Sequence, residues 1–196
     1  KDVNEKSRQL AYAVLMQMGK LLAQGGTIEN GKVPGLDPST PSVEATLSEY
    51  FTIVSAGLAG SSPHMISATI TALSCLVYEF LDDLPQEFLQ ELSSTLELFL
   101  TSNNREIVKR PIGFVKVEVL SLPVELIQPK LKTLLEYLMR WSHEHKGHFK
   151  LKVKHIIERM IRRFGYENME ANMPEADLKL LVNIKKTKMR NKKKQA

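Results

Sequence analysis

The sequence predicts an all-α fold built of helix pairs. Apolar residues recur at spacings of three and four almost throughout, no window of useful length shows strand alternation, and local echoes repeat along the chain. With 196 residues, 43% of them apolar, the chain can bury a real core, as one domain or as a few stacked units.

The first stripe is Ala11, Val14, Leu15, Met18, Leu21 and Leu22. After it, the segment from Gly25 to Ser42 holds four Gly and three Pro in 18 residues, the composition of a mobile surface insertion. From Tyr50 to Tyr78 there is no Asp, Glu, Lys or Arg, and on length alone this stretch passes for a membrane span. Gly57, Gly60, Ser61, Ser62 and Pro63 divide it, so the expectation is two buried helices and a turn, each too short to cross a bilayer. Ser62 is placed to cap the second helix with Pro63 at its first position, where a missing N–H is harmless.

Ile66, Ile70, Leu73, Val77 and Phe80 form that helix's stripe. Leu89, Leu92, Leu96, Phe99 and Leu100 follow, then Ile107, Val108, Ile112, Val115 and Val119. Pro111 interrupts this last set and predicts a kink or a late helix start, with α geometry disfavoured at Arg110. Leu131, Leu134, Leu135, Leu138 and Trp141 precede a final strong stripe, Phe149, Val153, Ile156, Met160 and Phe164. Short breaks fall at 82–85, 101–104, 122–123 and 142–147.

Ala11, Ala68, Ile112 and Ile157 occupy similar places in successive pairs and step by 57, 44 and 45 residues, the first step lengthened by the insertion. A period of about 40–47 built of helix pairs is that of HEAT or armadillo units, so the predicted architecture is an α-solenoid with a basic C-terminal tail. The expected organisation is 1–24 helical repeat portion, 25–42 flexible loop insertion, 43–172 HEAT-like helix pairs and 173–196 terminal helix and basic tail. Opening at Lys1 directly in a helical pattern, the chain reads as the cut end of something longer.

Charge is unevenly placed. From Lys146 to Ala196 there are 15 Lys and Arg against five acids, a net of +10, whereas the first 145 residues carry a net of −5. A cationic end on an acidic body points to a polyanionic partner. One part of that charge is a helical stripe, His148, Lys152, His155, Arg159 and Arg162, opposite the apolar face; over about 21 Å at 1.5 Å per residue it would track several phosphates. The other is the run Lys185, Lys186, Lys188, Arg190, Lys192, Lys193 and Lys194, which contains no acid. That run is a nuclear import signal, a nucleic-acid arm or a solubilising end. Clustered Lys grips phosphate without base readout, so no sequence specificity is expected from it. Helical spacing through Leu178, Leu181, Val182 and Ile184 suggests an arm that leaves the body as a helix and frays once its anchors stop.

Other residue clusters carry bland expectations. His143, His145 and His148 lack a nearby Cys and share no face, so a solvated turn is expected and no metal. Cys75, the one cysteine, is expected to be a buried small hydrophobe; alone, it rules out an internal disulfide framework and fits a reducing compartment. Asp82 and Asp83 are expected as caps rather than a general acid pair. Trp141 and Phe149 lie on apolar stripes and are expected in the core rather than stacked on bases. No glycine-rich phosphate loop, nucleophile elbow or metal-ligand set appears, so the expectation is no enzyme, no cofactor and no small-molecule substrate.

The strings LAGSSPHMISATITALSCLVYEF (58–80), REIVKRPIGFVKV (105–117), GHFKLKVKHIIERMIRRFGYE (147–167) and PEADLKLLVNIKKTKMRNKKK (174–194) resemble the C-terminal part of the ribosomal RNA-processing protein twelve family. The likeness covers almost everything except 25–42, and the family has a small residue where this chain has Pro111. The resemblance implies a much longer α-solenoid, a nucleolar HEAT-repeat factor of small-subunit assembly. It further implies partners in pre-rRNA, pre-ribosomal particles and other assembly factors, nuclear and nucleolar residence with shuttling to the cytoplasm, and support of subunit export alongside exportin and Ran, with no membrane. The alternative from the residues alone is a protein-only, transport-receptor-like module whose basic tail is just an import signal.

Overall fold

The computed structural model describes residues 3–145 and 150–195. Apart from one ribbon of two residues per strand, every regular element among them is helical, so the all-α expectation holds. The chain divides into two compact units, Lys1–Leu89 and Gln90–Ala196.

In the first unit, α1 (Val3–Ala23) packs on α2 (Leu47–Ser55) and α3 (Pro63–Phe80). Thr46 caps α2 by accepting from Glu49 N at 3.1 Å, and Ser62 caps α3 by accepting from Met65 N at 3.1 Å, with Pro63 at the first position as the sequence predicts. The core is Tyr50, Phe51, Ile70, Leu73, Leu76, Val77 and Phe80, with Phe88 edge-on to Phe51. The glycine break works as a close approach: a Cβ on Gly57 would lie 2.2 Å from Thr69 Oγ1.

Four expectations for this unit need correction. The α1 stripe is largely outside: Val14, Met18 and Leu21 are exposed, and Leu15 and Leu22 only half-buried. α1 is held by the close approach of its buried Gly19 to the Phe80 and Tyr50 rings and by polar contacts, a Tyr50 hydroxyl donating to Leu15 O at 2.6 Å and Lys20 3.5 Å from Glu79. Cys75 is exposed, because Leu73, Leu76 and Val77 set the buried face of α3 and position 75 falls beside it; neighbouring groups still withdraw enough solvent to push its thiol pKa up. The repeat echoes do not share an environment, since Ala11 and Ala68 are exposed and Ile112 and Ile157 buried. Finally, the stretch Pro63–Asp83 is long and apolar enough by length and composition to cross a bilayer, but half of its most apolar window is buried inside the protein, as befits a core helix.

The segment 25–42 is closed at its base by an antiparallel ribbon, β1 (Thr27–Ile28) with β2 (Val43–Glu44), in register Thr27↔Glu44. Two-residue strands are below the reach of any alternation signal.

The unit boundary falls within α4 (Gln86–Leu98), and the second unit continues through α5 (Arg105–Val108), α6 (Pro111–Ser121), α7 (Val124–Ile127), α8 (Leu131–Glu144), α9 (Lys150–Phe164), α10 (Tyr166–Asn172) and α11 (Leu178–Gln195). Pro111 gives the predicted late start, at the first turn of α6, yet Arg110 itself keeps α geometry (φ −84°, ψ −41°), against expectation. Backbone bonds from Arg110 N to Ile107 O and from Gly113 N to Arg110 O hold the join tightly enough to override the local preference. Leu131, Leu134, Leu135, Leu138 and Trp141 are fully buried, and the Trp141 indole donates to Val108 O at 2.7 Å. Trp141 is a core residue, as expected; Phe149 lies outside the described residues.

Between these helices sits a buried ionic cluster. Lys130 reaches Glu97 at 2.5 Å and also Glu118, whose carboxylate is fully buried and leaves Oε2 without a partner. Burial, then the neighbouring Glu97, hold the Glu118 carboxyl well above its ordinary range against the pull of Lys130.

Candidate nucleic-acid interface

The candidate surface is built on α9. Val153, Ile156, Ile157, Met160 and Phe164 bury one face, which leaves Lys152, His155, Arg159 and Arg162 exposed on the other. His148, the stripe's first predicted member, lies outside the described residues.

The stripe is not one ridge in space. Lys152, His155 and Arg159 line a groove of about 480 Å³ facing α6, where they meet Lys116. Arg162 lines a second groove, of about 310 Å³, facing α11, where it meets Lys188. Sequence reasoning missed Lys116: it is the one basic residue of α6, and only the packing of α6 on α9 brings it to the others. Arg162 and its neighbour Arg163 also part company. Arg163 donates through Nη1 to Val119 O at 2.7 Å and through Nη2 to Leu122 O, satisfying carbonyls at the end of α6.

The terminal run is helical. Leu181 and Ile184 anchor α11, and the helix continues beyond them to Gln195 instead of fraying where its apolar anchors stop. Lys186, Lys188, Arg190 and Lys193 are exposed along it; the side chains of Lys192 and Lys194 lie outside the described residues. Lys185 folds back over the Tyr166 ring, its ammonium 4.4 Å from the centroid.

His143 is exposed and His145 sits in the turn after α8, as expected, but both rings make specific contacts; His148 lies outside the described residues. His143 Nε2 lies 2.7 Å from Asp177 Oδ1, and His145 stacks on Trp141 at 5.4 Å between ring centroids while its Nδ1 approaches Trp141 O. The first contact comes from Asp177, just ahead of α11, and the second is local, across the last turn of α8. No group of three potential metal ligands occurs among the described residues. Asp82 and Asp83 are exposed in a 3-10 turn at the end of α3.

Fold and surface together define a helical-repeat segment that carries a cationic face at one end. No family model matches the chain. Over 99% of its length it is 56% identical to ribosomal RNA-processing protein 12 of Saccharomyces cerevisiae, over 16% of that protein. It is 42% identical over its full length to putative ribosomal RNA-processing protein 12 of Schizosaccharomyces pombe, again over 16%, and 31% identical to an RRP12-like protein of Gallus gallus, over 14%. The chain belongs to the ribosomal RNA-processing protein 12 family and spans about a sixth of the length of these relatives.

Proposed function

We propose that this chain is part of a non-enzymatic ribosome-biogenesis factor, a HEAT-repeat scaffold that associates with pre-rRNA and assembly factors while small-subunit precursors mature. The relatives' names supply the process. The observation that supports the RNA contact is the α9 face with its flanking grooves, one lined by Lys116, Lys152 and Arg159 and the other by Arg162 and Lys188. Residence in nucleolus and nucleus, shuttling to the cytoplasm, and work beside exportin and Ran in subunit export complete this reading.

The net charge of −5 on the first 145 residues favours one other reading, a protein-only, transport-receptor-like module whose basic end is an import address. RNA binding separates the two. Affinity of the chain for a single-stranded RNA is measured at two salt concentrations, beside a triple variant (Lys152→Glu, Arg159→Glu, Arg162→Glu) and a chain lacking 185–196. Each phosphate neutralised adds about −0.7 to the slope of log K against log salt, so both variants should show shallower slopes. Absence of RNA binding by the intact chain, with nuclear entry still driven by its basic end, would establish the protein-only reading.

A further inference from the structure

The groove between α6 and α9 has a make-up that the charge pattern alone does not disclose. None of its lining residues is acidic; four are basic, Lys116 from α6 and Lys152, His155 and Arg159 from α9. The nearby carboxylate of Glu158 accepts from His155 at 3.2 Å and itself lines the opposite groove, with Arg162. The floor is apolar, the edges of the mostly buried Ile112 and Ile156. At the wall stands Gly113, where an added Cβ would meet nothing within 4 Å, so the absent side chain is open volume. The start of α6 is the positive end of that helix's dipole.

A cationic rim over an apolar floor, with no Phe, Tyr or Trp in the lining, matches one kind of polyanion. Phosphates are held at the rim by charge, while the sugar lies on the aliphatic floor; no side-chain amide is in the lining, and the one ring there, His155, would stack on any base alike. The volume, about 480 Å³, falls in the range of about 300–1,000 Å³ that encloses small ligands and is ample for one nucleotide unit.

We propose that this groove seats one nucleotide unit of an RNA strand crossing α6 and α9, with its flanking phosphates on Lys116 at one side and on Lys152 and Arg159 at the other. The inference rests on the RNA reading above and deepens it: the strand has a register on the protein, set by a pocket, whereas the exposed cations of α11 give only charge. Gly113 is the residue that keeps the passage open.

The test uses two variants that separate space from charge. Gly113→Leu adds no charge, enters open volume and replaces a helix glycine by a better helix former, so folding is retained. Lys116→Gln removes one rim cation. Affinity for a single-stranded oligouridine is measured across salt, and amide shifts of the 196-residue chain are followed on adding uridine trinucleotide or, separately, a polyglutamate peptide. The expected result is that Gly113→Leu weakens binding with an unchanged salt slope. Lys116→Gln should lower the slope by about one phosphate's share, and the Gly113 amide should shift with the trinucleotide. If both variants bind as the parent does while Lys152→Glu with Arg159→Glu abolishes binding, the RNA reading stands and the groove proposal is overturned. A shift of Gly113 with polyglutamate but not with the trinucleotide overturns it in favour of an acidic protein partner. A parent chain that binds no RNA even at low salt overturns both readings.

Discussion

His143 on α8 and Asp177, just ahead of α11, meet at 2.7 Å across 34 residues of sequence, and this contact fastens the last helix to the body. Asp177 is buried while His143 is mostly solvated, so the carboxylate is the partner with more to lose. Asp177→Ala should lower stability by about 0.5–1.5 kcal/mol, the ordinary net worth of a hydrogen bond. The diagnostic measurement is hydrogen exchange, with amides of 178–184 losing protection before those of α8; uniform loss across the unit would refute a local fastening.

The Lys130, Glu97 and Glu118 cluster predicts an unusual pH response. Glu118 is held above its ordinary value near 4.5, so the folded chain keeps a proton that the unfolded chain releases. Stability therefore falls as pH rises from that value toward the raised one, opposite in sign to a salt-bridged carboxylate. Glu118→Gln, which mimics the protonated group, should flatten this part of the pH dependence in denaturant melts. Lys130→Met should instead cost about 3–5 kcal/mol at neutral pH, since it leaves two buried carboxyls without their cation.

Adjacent arginines should behave in opposite ways. Arg163→Ala removes two charge-assisted bonds to the end of α6 and should cost about 1.5–3 kcal/mol per bond at most, with the RNA salt slope unmoved. Arg162→Gln should leave the melting temperature within a degree or so, as exposed substitutions do, and lower the slope. Identical effects from the two changes would contradict the division of labour seen around α9.

Gly57→Ala should destabilise the first unit by about 1–3 kcal/mol, because the new methyl meets Thr69 at 2.2 Å and overpacking of this kind is not relieved without moving a helix. In a Thr69→Ala background, which removes both Oγ1 and Cγ2, Gly57→Ala should cost clearly less in thermal melts than it does beside Thr69; an equal cost in the two backgrounds would mean the clash is not the cause.

Periodicity made the helices legible because a 3.6-residue repeat is local: the buried faces of α4, α8 and α9 follow their stripes closely. The same signal misled at α1, since spacing identifies an apolar face but not whether anything in its unit covers it, and Leu10, Val14 and Leu21 lie open. Cys75 was misplaced for a related reason: a nearly continuous apolar run does not say which side faces inward. At the candidate interface, Lys152, Arg159 and Arg162 were readable as one stripe, yet their separation into two grooves depends on where α6 and α11 pack. Lys116 and Gly113 carried no signal of their own. His143 and Asp177 were invisible as a pair, because side-chain contacts across 34 residues leave no trace in local spacing.

The continuation of α11 past Ile184 has a geometric consequence. From Lys186 to Gln195 it is about 15 Å of rod at 1.5 Å per residue, and successive residues turn about 100° around the axis, so Lys186, Lys188, Arg190 and Lys193 leave it in more than one direction. One side of the rod faces α9, where Lys188 meets Arg162, while other cations point elsewhere along the shaft. The groove on the α6 side of α9 is a fixed point by comparison. If the proposed strand binds, the two would act as a mooring and a fairlead, one element deciding where it stops and the other letting it run until it does.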